Sequence, residues 1–247
     1  MKLLVCISKT PDTTTRISFI DNNTKFNSDK VQYIINPYDE WYALVRAIEL
    51  KEKNLAQQVT IVNVGRADSD AIIRKALAIG GDDAVRIDAE PEDAFFVANE
   101  ITNFARNENY NIIFLGKETI DYNGSQVGGM IAGLLDIPFI SLASKLDLNG
   151  TTAIVERDIA GGEEIIEVET PFVVSCAKGM AEQRIPNMRG IMAARTKPIK
   201  VVLPSSSEKL TSVKFYELPP EKSGCKMISP DHPEELVRLL HEEAKVI

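Results

Sequence analysis

The residues with the most chemical promise lie at 111–130, NIIFLGKETIDYNGSQVGGM, where a short apolar run ends in a loop of small and polar residues that feeds a helix start. Asp121 and Asn123 are suited to cap that helix, whose first turn is expected to contain Gly124, Ser125, Gly128 and Gly129. With no side chains at those glycines, a phosphate could approach backbone N–H groups at the positive end of a helix. The spacing matches neither GxGxxG nor a P-loop with its terminal Lys-Ser or Lys-Thr. An ordinary strand-to-helix junction therefore stays open beside nucleotide binding.

A second candidate is the corner Asn36-Pro37-Tyr38-Asp39-Glu40. Pro37 forces Asn36 into an extended conformation, and a helix follows at once with Asp39 and Glu40 in its first turn. Asn36 could offer its amide to an adenine or ribose edge while Tyr38 lies against a ring; simple N-capping is the alternative. A third is 178–197, where Lys178, Arg184, Arg189, Arg195 and Lys197 face one acid, Glu182, in a chain of net charge -8 and pI near 5.0. Met180, Met188 and Met192 are interleaved with these charges, and methionines suit surfaces that adapt to several partners. Either this is an apolar anchor with a basic rim that docks an acidic protein, or Met188 and Ile191 pack on the core while the arginines face water.

Catalytic groupings are scarce. The two histidines, His232 and His241, fall in the last part of the chain, so no His-based triad or general base is expected, and no catalytic residue is assigned. Asp82-Asp83 reads as a turn into a strand and Glu163-Glu164 as a solvated turn. Cys6, Cys176 and Cys225 are far apart with no CxxC, which supports neither a metal site nor a disulfide framework. The acidic balance argues against nucleic acid as a partner, and no segment reads as a membrane span or a secretory signal. A soluble, intracellular protein is expected.

The elements that position these candidates follow from periodicity. Apolar runs at 3–7, 59–64, 84–87 and 112–115 alternate with helical patterns at 40–53, 69–78, 93–106 and 126–135. That order predicts an α/β fold with a doubly wound, mainly parallel sheet and ligands at its C-terminal strand edge. The loops 8–15, 65–68 and 116–125 should converge there. From about 143 the pattern alternates apolar with polar, broken by Asn149-Gly150 and Gly161-Gly162, so an antiparallel hairpin excursion is expected before a buried strand at 172–177. Periodicity is lost over 178–200. Beyond Leu203, PSSSEKL and Pro219-Pro220 mark a linker, followed by a terminal helix at 233–246. The expected organisation is a nucleotide-binding domain at 1–203, including the loop 178–197, and a C-terminal arm at 204–247 lying on a partner chain; a flexible tail is the alternative.

Taken in order, LLVCISKTPD, INPYDEW, IRKALAIGGDDAV, LGKETIDYNGSQVGGMIAGLL, VERDIAGGEEIIEVETPFVV and IMAARTKPI resemble the β subunits of electron transfer flavoproteins over nearly the whole chain. The resemblance implies a heterodimer whose α subunit carries most contacts to a redox FAD. It also implies electron acceptance from acyl-CoA dehydrogenases and relatives and delivery to a membrane quinone oxidoreductase, without substrate turnover by this chain. The family's β-subunit nucleotide site falls on Cys6, Ser8, Asn36, Pro37, Tyr38, Asp39, Val64, Gly65, Asp121, Asn123, Gly124, Ser125, Gln126, Val127, Gly128, Gly129, Met130 and Ile131. That nucleotide is a structural AMP in many members and a second FAD in electron-bifurcating ones. NGSQVGGM lacks the acidic run of many AMP-carrying members and MRGIM is closer to bifurcating sequences, but AMP is the expectation retained.

The same resemblance makes 178–197 the loop that docks dehydrogenases through Arg184, Met188, Arg189, Ile191, Met192 and Arg195, with Met188 at the apolar anchor that is usually leucine. Gly179 and Pro186 depart from the family pattern and leave the choice of partner open. The arm after Leu203 would wrap the α subunit. A bacterial cytoplasm is expected before an organelle matrix. Two other classes stay in view: a universal-stress-type adenine-nucleotide sensor, which would not need the basic methionine loop, and a nucleotide-cleaving hydrolase or ligase, which would need acids and a P-loop lysine not found.

Overall fold

The computed structural model describes residues 1–205, 207–221 and 224–247. In chain order the elements are β1 (Lys2–Cys6), β2 (Lys9–Pro11), β3 (Phe19–Ile20), β4 (Lys25–Phe26), β5 (Tyr33–Ile35), α1 (Asp39–Glu52), β6 (Gln58–Val64), α2 (Asp70–Ile79), β7 (Asp83–Ile87), α3 (Ala94–Ala105), β8 (Ile112–Gly116), α4 (Val127–Leu135), β9 (Phe139–Asn149), β10 (Thr152–Ile159), β11 (Gly162–Glu169), β12 (Phe172–Cys176), α5 (Met188–Ala194), β13 (Ile199–Val202) and α6 (Pro233–Glu242).

The apolar runs become strands buried on both faces. In β1, Leu3 and Val5 join Ala43, Leu44 and Ala47 of α1 and Ile73 and Leu77 of α2, whereas Leu4 and Cys6 join Phe96 and Ile101 of α3 and Ile131 of α4. Alternation along each strand thus feeds two cores, one under α1 and α2 and one under α3 and α4. The sheet runs β11-β10-β9-β12-β8-β1-β6-β7-β13. From β9 to β13 neighbours are parallel, with Leu3 opposite both Val59 and Ile112. The chain winds outward from β1 through β6 to β7, then crosses to β8 on the other side of β1. Such a reversal leaves a crevice at the carboxyl ends of β1 and β8, where open α/β sheets hold ligands. The α/β, doubly wound, mainly parallel fold is the one expected from periodicity.

The hairpin excursion is also present: β10 pairs antiparallel with β9 and with β11, and turns at Gly150 and Gly161 join them. Alternation places Ala153 and Val155 inward and leaves Ile154 and Ile165 exposed. Three elements depart from expectation. The stretch read as aperiodic contains α5, capped by Asn187 Oδ1 on Gly190 N–H at 2.8 Å, and β13, which pairs with β7 through Ile199 opposite Ala84. The terminal helix ends at Glu242, short of 246.

Two compact units divide the chain, Met1–Ile17 with Asn27–Lys214, and Ser18–Phe26 with Phe215–Ile247. The first runs past residue 203 because α3 and its cap residue Asp93 hold the extended segment that follows. Glu100, buried, accepts from Ser205 N–H at 2.8 Å and Ser207 Oγ at 2.6 Å, and Asp93 Oδ2 accepts from the N–H groups of Leu210 and Thr211, both at 2.7 Å. Within the second unit the β3–β4 ribbon stacks Phe19 on Tyr216, ring centroids 4.8 Å apart, and α6 leaves Leu236 and Val237 exposed. Ser206, Lys222 and Ser223, inside the expected arm, lie outside the described residues.

Candidate functional site

The crevice at β1 and β8 is framed by three segments tied together by side chains. Asn36, fully buried, donates from Nδ2 to the carbonyl of Glu118 and accepts from Ile120 N–H, both at 2.9 Å. Its amide therefore holds the loop after β8, and it neither caps α1 nor faces outward as a base-reading group. Ser8 donates its N–H and its hydroxyl to the two carboxylate oxygens of Glu40, each at 2.7 Å. The carbonyl of Ile7 accepts from Asn63 Nδ2 at 2.9 Å, which brings in the end of β6 beside Val64 and Gly65.

Tyr38 sits at the cap position of α1 with φ of 67°, a left-handed conformation that a bulky side chain adopts only when its surroundings impose it. Its side chain is 55 % exposed. Pro37 precedes it, and Asp39 and Glu40 fill the first turn of α1. Gly116 lets the end of β8 approach that turn, since a Cβ there would lie 2.8 Å from the backbone nitrogen of Glu40. The acids are crowded. Burial pushes the Asp39 carboxyl up to about 6, against the pull of Lys117, and burial pushes Glu40 up to about 8 despite the donors of Ser8.

α4 begins later than expected. Asn123 and Ser125 both have φ of 50°, which breaks the helical path, so the helix starts at Val127 with Gln126 at its cap position. Asp121 and Asn123 lie in the preceding turn and cap nothing, and Gly124 and Ser125 belong to the loop rather than the first turn. No described side chain caps α4, so its first N–H groups face an exposed loop, 121–126. Gly128 serves packing, because a Cβ there would meet Leu115 Cδ1 at 2.7 Å and the Phe139 ring at 2.9 Å; Gly124 has open space around it. Ile131 and Cys6 are core residues, Val64 lines the same core, and Met130 and Val127 pack against it. Burial, with Glu40 second, pushes the Cys6 thiol well above its ordinary range.

The loop 178–197 is anchored at both ends. Trp41 Nε1 donates to the carbonyl of Arg184 at 3.1 Å, and Arg74 donates to the carbonyls of Ala194 and Lys197. Lys197 donates to the carbonyls of Leu77 and Gly81 at the end of α2. Between the anchors Met188 is 73 % exposed, Met192 and Ile191 are exposed to lesser degrees, and Arg189 and Arg195 are exposed beside them. Met180 is buried. Ile185, between Arg184 and Pro186 in a segment without periodicity, is 89 % exposed. Glu40, which sequence places only in the first turn of α1 where an acid complements the dipole, is instead buried and held by Ser8.

His232 and His241 both belong to the second unit, where they meet Glu234 Oε1 and the carbonyl of Ile247. Asp82 accepts from Val59 N–H at 2.9 Å and pairs with Lys51, the structural role expected of the turn into β7. Among the described residues no helix is long and apolar enough to cross a membrane.

The electron transfer flavoprotein domain family matches residues 24–207. The β subunit of electron transfer flavoprotein from Bacillus subtilis is 36 % identical over 262 aligned positions that cover all of both chains. The human β subunit is 31 % identical over 256 positions, covering 100 % of this chain and 99 % of its own, and the mitochondrial β subunit of Oryza sativa subsp. japonica is 33 % identical over the full length of both. With a family match across most of the sheet and full-length relatives above 30 % identity, this chain belongs to the β-subunit family of electron transfer flavoproteins.

Proposed function

We propose that this chain is the β half of a heterodimeric electron carrier, whose α subunit holds most of the contacts to a redox FAD and whose own strand-edge crevice binds AMP structurally. The observation that carries the nucleotide reading is the uncapped start of α4 beneath the exposed loop 121–126, at the carboxyl end of β8. The backbone N–H groups of Ser125 to Gly129 are the donors available to a phosphate. The half-exposed Tyr38 supplies a ring face for the base, while Asn36 and Ser8 hold the framing loops. FAD, when bound between the subunits, supplies the reversible uptake of electrons. This chain's part is to close over it and to present a docking loop, with no substrate turnover of its own.

Electron donors are proposed to be acyl-CoA dehydrogenases and relatives, recognised by Ile185, Met188, Ile191 and Met192 within the rim of Arg189 and Arg195; a membrane quinone oxidoreductase is the acceptor. Exposed apolar side chains beside guanidinium groups in an acidic chain support this reading. The arm 204–247 is proposed to wrap the α subunit, and the setting to be a bacterial cytoplasm. The test is co-expression with the α subunit, followed by denaturation and quantification of released nucleotides. One FAD with one AMP per heterodimer is expected; two FAD and no AMP would replace the reading with an electron-bifurcating one, and no flavin would remove it.

A further inference from the structure

Glu40 is 6 % exposed, and its described hydrogen bonds are the two from Ser8. Among the described residues no Lys or Arg forms an ion pair with it. The acids Asp39 on its own helix and Asp121 from the loop after β8 act on it, as does the Cys6 thiol of β1, while Lys117, next to Gly116, pairs with Glu118 at 3.3 Å rather than with Glu40. The end of β8 closes over it, with Gly116 in contact with its backbone. A buried carboxylate without a cation, at the floor of a crevice proposed to receive a phosphate, is an electrostatic conflict.

We infer that Glu40 is a positioning residue that must carry a proton for a nucleotide phosphate to seat at this edge. The inference rests on the proposed nucleotide site. With Glu40 ionised, both donors of Ser8 are committed to the carboxylate, and its charge joins those of Asp39 and Asp121 against the incoming anion. Uptake of one proton from solvent forms an O–H bond on one carboxylate oxygen and removes that charge; nothing is oxidised or reduced. The neutral carboxyl still accepts from Ser8 N–H, so the loop after β1 keeps its place. Burial already favours this form. Phosphate and proton then bind with mutual reinforcement, and each raises the affinity for the other by the same factor.

The experiment is AMP titration of the nucleotide-stripped heterodimer by calorimetry at pH 8 in two buffers of different ionisation enthalpy, with affinities measured from pH 7 upward, where the AMP phosphate, of second pKa about 6, is ionised. The parent is expected to take up a measurable fraction of a proton per AMP, and its affinity to fall by as much as about tenfold per pH unit once Glu40 titrates. Adenosine, which lacks the phosphate, should bind with little uptake. Glu40→Gln keeps the shape and both Ser8 contacts and should bind AMP with no uptake and a flat profile; Ser8→Ala removes one donor that favours the ionised form and should move the midpoint to higher pH. Zero uptake by the parent, or equal uptake by parent and Glu40→Gln, overturns the inference alone. Failure of AMP to bind the parent at all overturns the nucleotide reading, and the inference with it.

Discussion

Arg184 clasps Glu52 with both ends of its guanidinium, Nη1 to Oε1 at 2.7 Å and Nη2 to Oε2 at 2.8 Å, while its carbonyl takes the indole N–H of Trp41. One residue thus ties the segment 178–197 to the first and last turns of α1. Expected from sequence among the docking residues, Arg184 uses its charge inside the chain. Because both side chains are more than one-third exposed, the pair contributes at most about 1 kcal/mol to stability. Glu52→Ala should leave the unfolding midpoint nearly unchanged and raise the KM for a reduced dehydrogenase severalfold, as the loop loses its preset position. A large drop in stability with unchanged KM would contradict this.

Met188→Ala and Ile185→Ala should each slow electron acceptance by about tenfold, the scale of a truncated interface anchor. Heterodimer assembly and flavin content should not change. Parent-like kinetics in both variants would place the dehydrogenase elsewhere on the chain.

Gly128→Ala should destabilise the protein by about 1–3 kcal/mol in denaturant unfolding, since the added methyl enters the contact of α4 with Leu115 and Phe139. Gly124→Ala, with open space around it, should be near neutral in the same assay. Were Gly128 present only to admit a phosphate, the first variant would lose AMP affinity and keep its stability.

The stability of the fold should depend on Glu40 across neutral pH. The native state keeps this proton up to about 8, whereas an unfolded glutamate releases it near 4.5. Between those values the native state binds more protons, so the contribution is fully present below about 4.5 and is lost as pH rises through about 8. Asp39, raised to about 6, adds a loss of the same sign at lower pH. Urea midpoints at pH 5.5, 7 and 8.5 should therefore decline in the parent and decline less in Glu40→Gln; parallel curves would show that Glu40 does not titrate in this window.

How much of this was legible in the chain follows from the range of the forces involved. The strands at 3–7, 59–64 and 112–115 and the first four helices could be read locally, because burial on two faces or one writes a period into the sequence. The short helix α5 could not, since it has seven residues and is held by Arg74, Lys197 and the end of α2 rather than by its own pattern. At the site, the loops were found from small residues, but the work of Asn36 was not, because its partners lie 82 and 84 positions away. Likewise Asn123 and Ser125 looked like helix starters, and only their left-handed backbone shows that they delay the helix.

The outermost strand on the hairpin side of the sheet, β11, carries Glu163, Glu164, Glu167 and Glu169 along its eight residues. An open strand edge invites a second copy to add its own strand by backbone pairing, and charge along that edge is a common way to prevent it. Two such edges brought together would set rows of carboxylates against each other. The hairpin edge therefore resists self-propagating sheet growth from β11.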